Sequence, residues 1–164
     1  MKRAIQIFLL TFLFVSFLVH VGESGTGAGV ARQQIFDPNR NAAKDIDAAI
    51  VEASKTRRRI LVDVGGNWCS WCRTMDRYFE EHSDLRALRD RNYVTVKVNW
   101  SPENKNEAVL SKYPKATGYP HLFILDKNGT LLHSQDTSVL EDGKKSYDLE
   151  KFTAFLAKWA PTDK

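Results

Sequence analysis

Cysteine is scarce in this 164-residue chain, which has two, Cys69 and Cys72. Two cannot staple a disulfide-dense miniature scaffold, so the fold must rest on an apolar core, and a hydrophobic content of 43% supplies one of ordinary size. With 9 glycines and 5 prolines the chain is neither collagen-like nor a low-complexity linker. Charge of one sign is thin as well. The 24 Lys and Arg against 20 Asp and Glu leave a scattered net charge of +4, which excludes the clustered basic surface that tracks a nucleic acid, and no such partner is expected. Self-similarity at the periods of roughly 20 to 50 residues that mark solenoids and propellers is missing, and the length suits one domain with appendages. There is no second C-x-x-C and no H-x-x-x-H, so a zinc site would have to draw on His82, His121 or His133.

The one long hydrophobic run stands at the start. Met1-Lys2-Arg3 precedes an apolar stretch from Ala4 to Val21, and small and polar residues, GESGTGAG, follow it. That is the pattern of an export signal, with Gly22 and Ser24 placed for a cut after Ser24. The run also approaches the length that spans a bilayer, so an uncleaved anchor is the alternative. In both cases the rest of the chain crosses the membrane, and the leader is its only expected membrane contact. The expected organisation is a signal over residues 1–24, a flexible spacer over 25–40 and a folded domain over 41–160. Gly25, Gly27 and Gly29 imitate a dinucleotide-binding loop, but such a loop needs a strand before it and a helix after it. The C-terminal Thr162-Asp163-Lys164 does not match a KDEL-type retrieval signal, and bacterial export to the periplasm is the expectation.

After the spacer, helical and extended patterns alternate. Ile46, Ala49, Ile50 and Ala53 recur at helical spacing and predict an amphipathic helix from Ala42 to about Thr56. Arg59 to Val64 is short and β-branched and ends at Gly65-Gly66, as in a strand buried on both faces, with Asp63 its conspicuous charge. A helix is predicted from Cys69 through Met75, Tyr78 and Phe79, with SDLRALRD continuing or following it. Tyr93 to Val98 reads as a strand, Glu103 to Tyr113 as a helix closed by Pro114, and Leu149 to Trp159 as a final helix. His121 to Leu125 and Leu131 to Ser134 form a hairpin about Lys127-Asn128-Gly129-Thr130. The order implies an α/β fold, a central mixed sheet flanked by helices.

The chemistry lies in Trp68-Cys69-Ser70-Trp71-Cys72, where a buried strand and a Gly-Gly turn hand over to a helix. At a helix N-terminus the unpaired N–H groups and the positive end of the dipole favour an anion, which makes Cys69 a thiolate nucleophile. Cys72 lies on the same side of the first turn, within reach of a mixed disulfide on Cys69. Three other readings stand beside this one. A structural disulfide over so short a loop would constrain the unfolded chain by only about 2 kcal/mol, against about 4.7 for a 100-residue loop. Half of a metal site lacks its remaining ligands, and two inert core cysteines leave the flanking tryptophans unexplained.

These residues resemble the thioredoxin-fold family, and in particular its exported thioredoxin-like thiol:disulfide reductases, over residues 42 to 160. The strand ILVDV with Trp68-Cys69-x-x-Cys72, the segment Val96-Lys97-Val98-Asn99, Gly118-Tyr119-Pro120 and the hairpin LFILDKNGTLL carry the likeness. The resemblance implies that Asp63, its pKa raised by burial, takes a proton from Cys72 through water, and that Lys97 tunes it from the next strand. It further implies a cis bond at Tyr119-Pro120, where an extended substrate would pair with the backbone beside the sulfurs, and an apolar collar of Trp68 and Trp71 around them. The expected activity is reduction of disulfides in other proteins without a cofactor, with electrons from a membrane reductase. An oxidase or isomerase would use the same cysteines, and a Cu(I) or zinc carrier would add His121 or Met75 to them. The sequence departs from ordinary thioredoxin at Ser70-Trp71, which replaces Gly-Pro, and at His121, where the reductases commonly have threonine. The segment Ser134 to Tyr147 is longer than a minimal member needs, and is expected to be a polar excursion rather than a docking feature.

Overall fold

The computed structural model describes residues 34–162; the expected signal and the first part of the expected spacer lie outside the described residues. The first helix, α1 (Ala42–Thr56), starts where the side chain of Asn41 accepts a hydrogen bond from the Lys44 N–H. It ends where Arg57 turns left-handed at φ 56°. Strand β1 (Arg59–Gly65) then leads through the cysteine turn into α2 (Ser70–Glu81) and α3 (Ser83–Asn92). β2 (Tyr93–Asn99), a short α4 (Glu107–Leu110), the hairpin β3 (His121–Leu125) and β4 (Leu131–Asp136), and α5 (Leu149–Lys158) complete the chain.

The sheet order is β2-β1-β3-β4, with β1 parallel to β2 and antiparallel to β3, and β3 antiparallel to β4. This mixed sheet is buried on both faces, so side-chain alternation sorts each strand between two cores. Ile60, Val62, Val64, Val94, Val96, Val98, Phe123 and Leu125 face Ile46, Ala49 and Ala53 of α1. Leu61, Tyr93, Leu122 and Ile124 face Met75, Phe79, Leu85, Phe152 and Leu156 of the other helices. Tyr93 is buried at the floor of that second core, where its hydroxyl donates to the Leu156 carbonyl at 2.8 Å. Asp63 stands on the same face as Leu61, a charge placed on an apolar layer because it falls one pleat further along the strand.

Three expectations need correction. The helix predicted over Glu103 to Tyr113 is confined to Glu107–Leu110. Asn side chains compete with it: Asn99 donates to the Asn104 carbonyl, Asn104 accepts from the Asn106 N–H, and Asn106 is left-handed at φ 49°. The segment from Ser134 to Tyr147 is not a polar excursion. It prolongs β4 and forms a 3-10 helix over Thr137–Leu140, with Thr137, Leu140 and Tyr147 buried. Finally, the end of the predicted flexible spacer is fixed. Phe36 is buried, and both its backbone groups bond the Asn67 side chain. Among the described residues no helix is long and apolar enough to cross a membrane.

Candidate active site

Cys69 is the N-cap of α2, in extended conformation at φ −81° and ψ 115°, and its backbone N–H bonds the Gly66 carbonyl at 3.0 Å. The Gly65-Gly66 turn thus delivers it to the helix end with the chain already folded back. Cys69 and Cys72 form a disulfide across a Cα separation of 5.3 Å. The Cys72 N–H points at Cys69 Sγ from 3.0 Å, so an unpaired donor of the first helical turn is aimed at the sulfur proposed as an anion. Both cysteines are buried, Cys72 more deeply.

Behind them lies an ionic cluster. Asp63 and Lys97 are register partners on β1 and β2, which brings their side chains to one face of the sheet. Lys97 Nζ donates to Asp63 Oδ2 at 3.2 Å and to Asp76 Oδ1 at 2.8 Å. Asp63 Oδ1 is buried and accepts a hydrogen bond from no described residue. Burial pushes the Asp63 carboxyl above the usual carboxylate range, against the pull of Lys97. Burial lowers the Lys97 ammonium, but Asp63 and Asp76 together hold it above the ordinary lysine value. Asp76 was not singled out from the sequence, although it stands four residues after Cys72 and therefore on the same helix face.

The cysteines and this cluster share one face of β1. Gly65 is two residues after Asp63, and Cys72 Sγ rests against it: a methyl group added to Gly65 would stand 2.5 Å from that sulfur and 2.9 Å from Phe36 Cζ. Gly65→Ala should therefore destabilise the protein by about 1–3 kcal/mol through overpacking, seen as a lower urea midpoint at unchanged slope. A variant as stable as the parent would show that sulfur and ring can both move aside.

In front of the sulfurs the aromatic side chains divide. Trp68 is 52% exposed and packs edge-on against Trp100 and Tyr119 at 5.9 and 5.7 Å, its indole N–H donating to the Trp100 carbonyl. Trp100 stacks on Tyr119 at 5.0 Å and lines two clefts of about 580 and 540 Å³, the second shared with Tyr119. Trp71 is not part of this cluster. It packs against the cysteines and leans edge-on against Tyr147 at 5.5 Å, toward the core under α5. The Tyr119–Pro120 peptide is cis, Cys69 Sγ lies 3.5 Å from the Tyr119 carbonyl oxygen, and Thr137 Oγ1 holds the Pro120 carbonyl at 2.7 Å.

Nothing in the local sequence marks Trp100, which follows β2, or Thr137, which belongs to the polar segment after β4. His121 is buried on the other face of the sheet, opposite Val64, with Nε2 2.8 Å from Ser134 Oγ. His82 stacks on Tyr78, His133 stacks on Trp159, and Met75 is core. Among the described residues no three His, Cys, Asp or Glu side chains gather as a metal site would require.

The family model described as thioredoxin-like matches residues 41–127. Among solved structures, a disulphide isomerase from Xylella fastidiosa Temecula1 is similar at 22% identity and a TM-score of 0.67, over 78% of this chain and 98% of that one. The C-terminal domain of Neisseria meningitidis DsbD in its oxidised form is similar at 17% identity and a TM-score of 0.53, over 73% and 96%. Its reduced form is similar at 19% identity and a TM-score of 0.51, over 71% and 96%. These likenesses show the fold. No curated protein matches the chain.

Proposed function

The chain belongs to the thioredoxin-like family, and from that premise we propose that it is an exported thiol:disulfide reductase acting on disulfides of other proteins. The observation that carries the reading is Asp63, a buried carboxyl with one oxygen on Lys97 and the other without a partner among the described residues, on the strand face against which Cys72 Sγ rests. Such a group is arranged to hold and release a proton rather than to stabilise the fold. Similarity to a disulphide isomerase and to the C-terminal domain of DsbD supports thiol–disulfide chemistry at this site.

The proposed cycle has two displacements. The Cys69 thiolate attacks a substrate disulfide, so that a mixed disulfide forms and one substrate sulfur leaves as thiolate. Asp63 then takes the Cys72 proton through a bridging water, and Cys72 attacks Cys69 Sγ. The second substrate sulfur leaves, two electrons have passed to the substrate, and the Cys69–Cys72 disulfide remains. Trp68, with the backbone of Tyr119 ahead of Pro120, would receive an extended substrate segment. No cofactor enters the cycle. Regeneration needs a dithiol donor, and in an oxidising compartment beyond the cytoplasm a membrane reductase suits that role.

Equilibration of the full chain with glutathione buffers tests the direction of electron flow. Thioredoxin-type pairs lie near −270 mV and strong disulfide oxidants near about −120 mV, a span of roughly 7 kcal/mol for two electrons. The expected value is on the thioredoxin side. A potential near the oxidising end would overturn the reductase reading in favour of an oxidase or isomerase.

A further inference from the structure

Phe36 precedes the first helix and joins neither large core, yet it is 1% exposed. Its cluster consists of Cys69 and Cys72, with Ile35, Trp71 and Tyr119 packed around them. Three hydrogen bonds hold it there. Asn67 Oδ1 accepts from the Ile35 and Phe36 N–H groups at 2.9 and 3.0 Å, and Asn67 Nδ2 donates to the Phe36 carbonyl at 2.6 Å. One amide side chain thus pairs with residues 35 and 36 much as a neighbouring strand would, two residues before the nucleophile. The ring edge meets Gly65 beside Cys72 Sγ, and its face lies 5.1 Å from Lys97 Nζ, the cation paired to Asp63. The ring therefore spans from the resolving sulfur to the ion pair behind it.

We propose that Phe36, fastened by Asn67, is a positioning residue of the thiol–disulfide reaction, closing the compartment shared by Cys72 and Asp63 against bulk water. The inference rests on the reading of Cys72 as resolving thiol and Asp63 as its base. A proton can be held on a buried carboxyl only while water is kept from solvating the carboxylate, and the apolar ring supplies that exclusion between Cys72 and Lys97. It also leaves the Lys97 ammonium in a favourable place, over the negative face of the ring. The charged or titratable groups acting on Asp63 are Lys97 from β2, Asp76 from α2, Arg89 from α3 and Tyr147 from the segment before α5. A substitution at Phe36 replaces none of these side chains, and of them only Lys97 loses a contact, the ring under its ammonium.

The test uses the full-length reduced protein with a chromogenic aromatic thiol loaded on Cys69, its release by Cys72 being followed from pH 5 to 9. In Phe36→Ala the midpoint should fall by roughly one pH unit, a tenfold change in the ionised fraction of the base at a given acidic pH. Phe36→Leu, which keeps an apolar seal, should stay near the parent. Asn67→Ala, which unfastens the strap and keeps the ring, should shift the midpoint in the same direction, and it carries the test where Phe36→Ala does not fold. In a Cys69→Ser background, Cys72 should be alkylated several-fold faster once Phe36 is Ala. Lower melting temperatures in Phe36→Ala and Asn67→Ala with unmoved midpoints and alkylation rates would reduce Phe36 to packing and overturn the proposal. Asp63→Asn separates the two levels. An unchanged profile in that variant removes the base and this inference with it, whereas a lost step there beside an unmoved Phe36→Ala removes the role of Phe36 alone.

Discussion

Cys72→Ser should convert the protein from a turning-over reductase into a trap. Cys69 keeps its place at the N-terminus of α2, with the residue 72 N–H still aimed at its sulfur from the first turn, so the first displacement proceeds. The serine hydroxyl is far too weak an acid to act as the second nucleophile, and the mixed disulfide has no internal route out. Insulin-disulfide reduction should drop by roughly three orders of magnitude or more, the scale on which loss of a nucleophile acts in covalent catalysis. Substrate joined through Cys69 should accumulate on non-reducing gels and in intact-mass spectra. Cys69→Ser should lose turnover to the same extent with no adduct. Turnover of Cys72→Ser within tenfold of the parent would remove the two-displacement mechanism, because another thiol would then be resolving the intermediate.

Asp63→Asn is expected to make the protein more stable and less active at once. Burial holds the folded-state pKa of Asp63 above that of the unfolded chain, so the folded protein keeps a proton over a pH range in which the unfolded chain has lost it. The stability contributed by this group is therefore present below the ordinary carboxylate range and is lost as pH rises through the raised value. Above it, the parent carries a buried charge whose second oxygen has no partner among the described residues, at a cost of about 1–3 kcal/mol. An amide removes that charge, and Lys97 retains Asp76 at 2.8 Å. Melting at pH 8 should accordingly rise by roughly 3 to 8 °C, and the difference should shrink as pH falls toward 4. Disulfide reduction should slow over the same range for want of a proton acceptor. A lower melting temperature for Asp63→Asn at pH 8 would mean that attraction to Lys97 outweighs the burial of the carboxylate.

The residues that were legible in the sequence are those fixed by local spacing. Cys69 and Cys72 fall at a strand-to-helix junction, and their placement on the first turn follows from helical geometry. Asp63 declared itself as a charge in a β-branched run, and Lys97 meets it because two parallel strands bring those positions into register. What was missed arrives by packing between distant segments. Phe36 reaches the cysteines through the Asn67 amide across 31 residues of chain, and nothing in a Gly-rich stretch followed by polar residues announces such a bond. Trp68 lies in the turn before α2 and Trp71 on its first turn, so Trp71 packs against the cysteines and also against Tyr147, a contact between distant segments. Asp76, four residues after Cys72, and the apolar Leu140 and Tyr147 within a polar segment were signals available and unread. The helix delayed to Glu107 shows the reverse case, a local pattern defeated at its start by Asn side chains that bond the backbone first.

The alternation of β1 also sets where the gene can lengthen or shorten without harm. Asp63 and Gly65 share one pleat phase, and that phase decides at once which side holds the carboxyl and which side leaves space for the sulfur. A single codon gained or lost between Ile60 and Gly65 would exchange the two sides, sending Asp63 in among Val96 and Phe123 and setting a valine over Cys72. The Lys127–Thr130 turn, at the opposite end of the sheet, imposes no such parity on the site. Length variation in descendants of this chain is thereby channelled away from the central strand and toward the far rim of the fold.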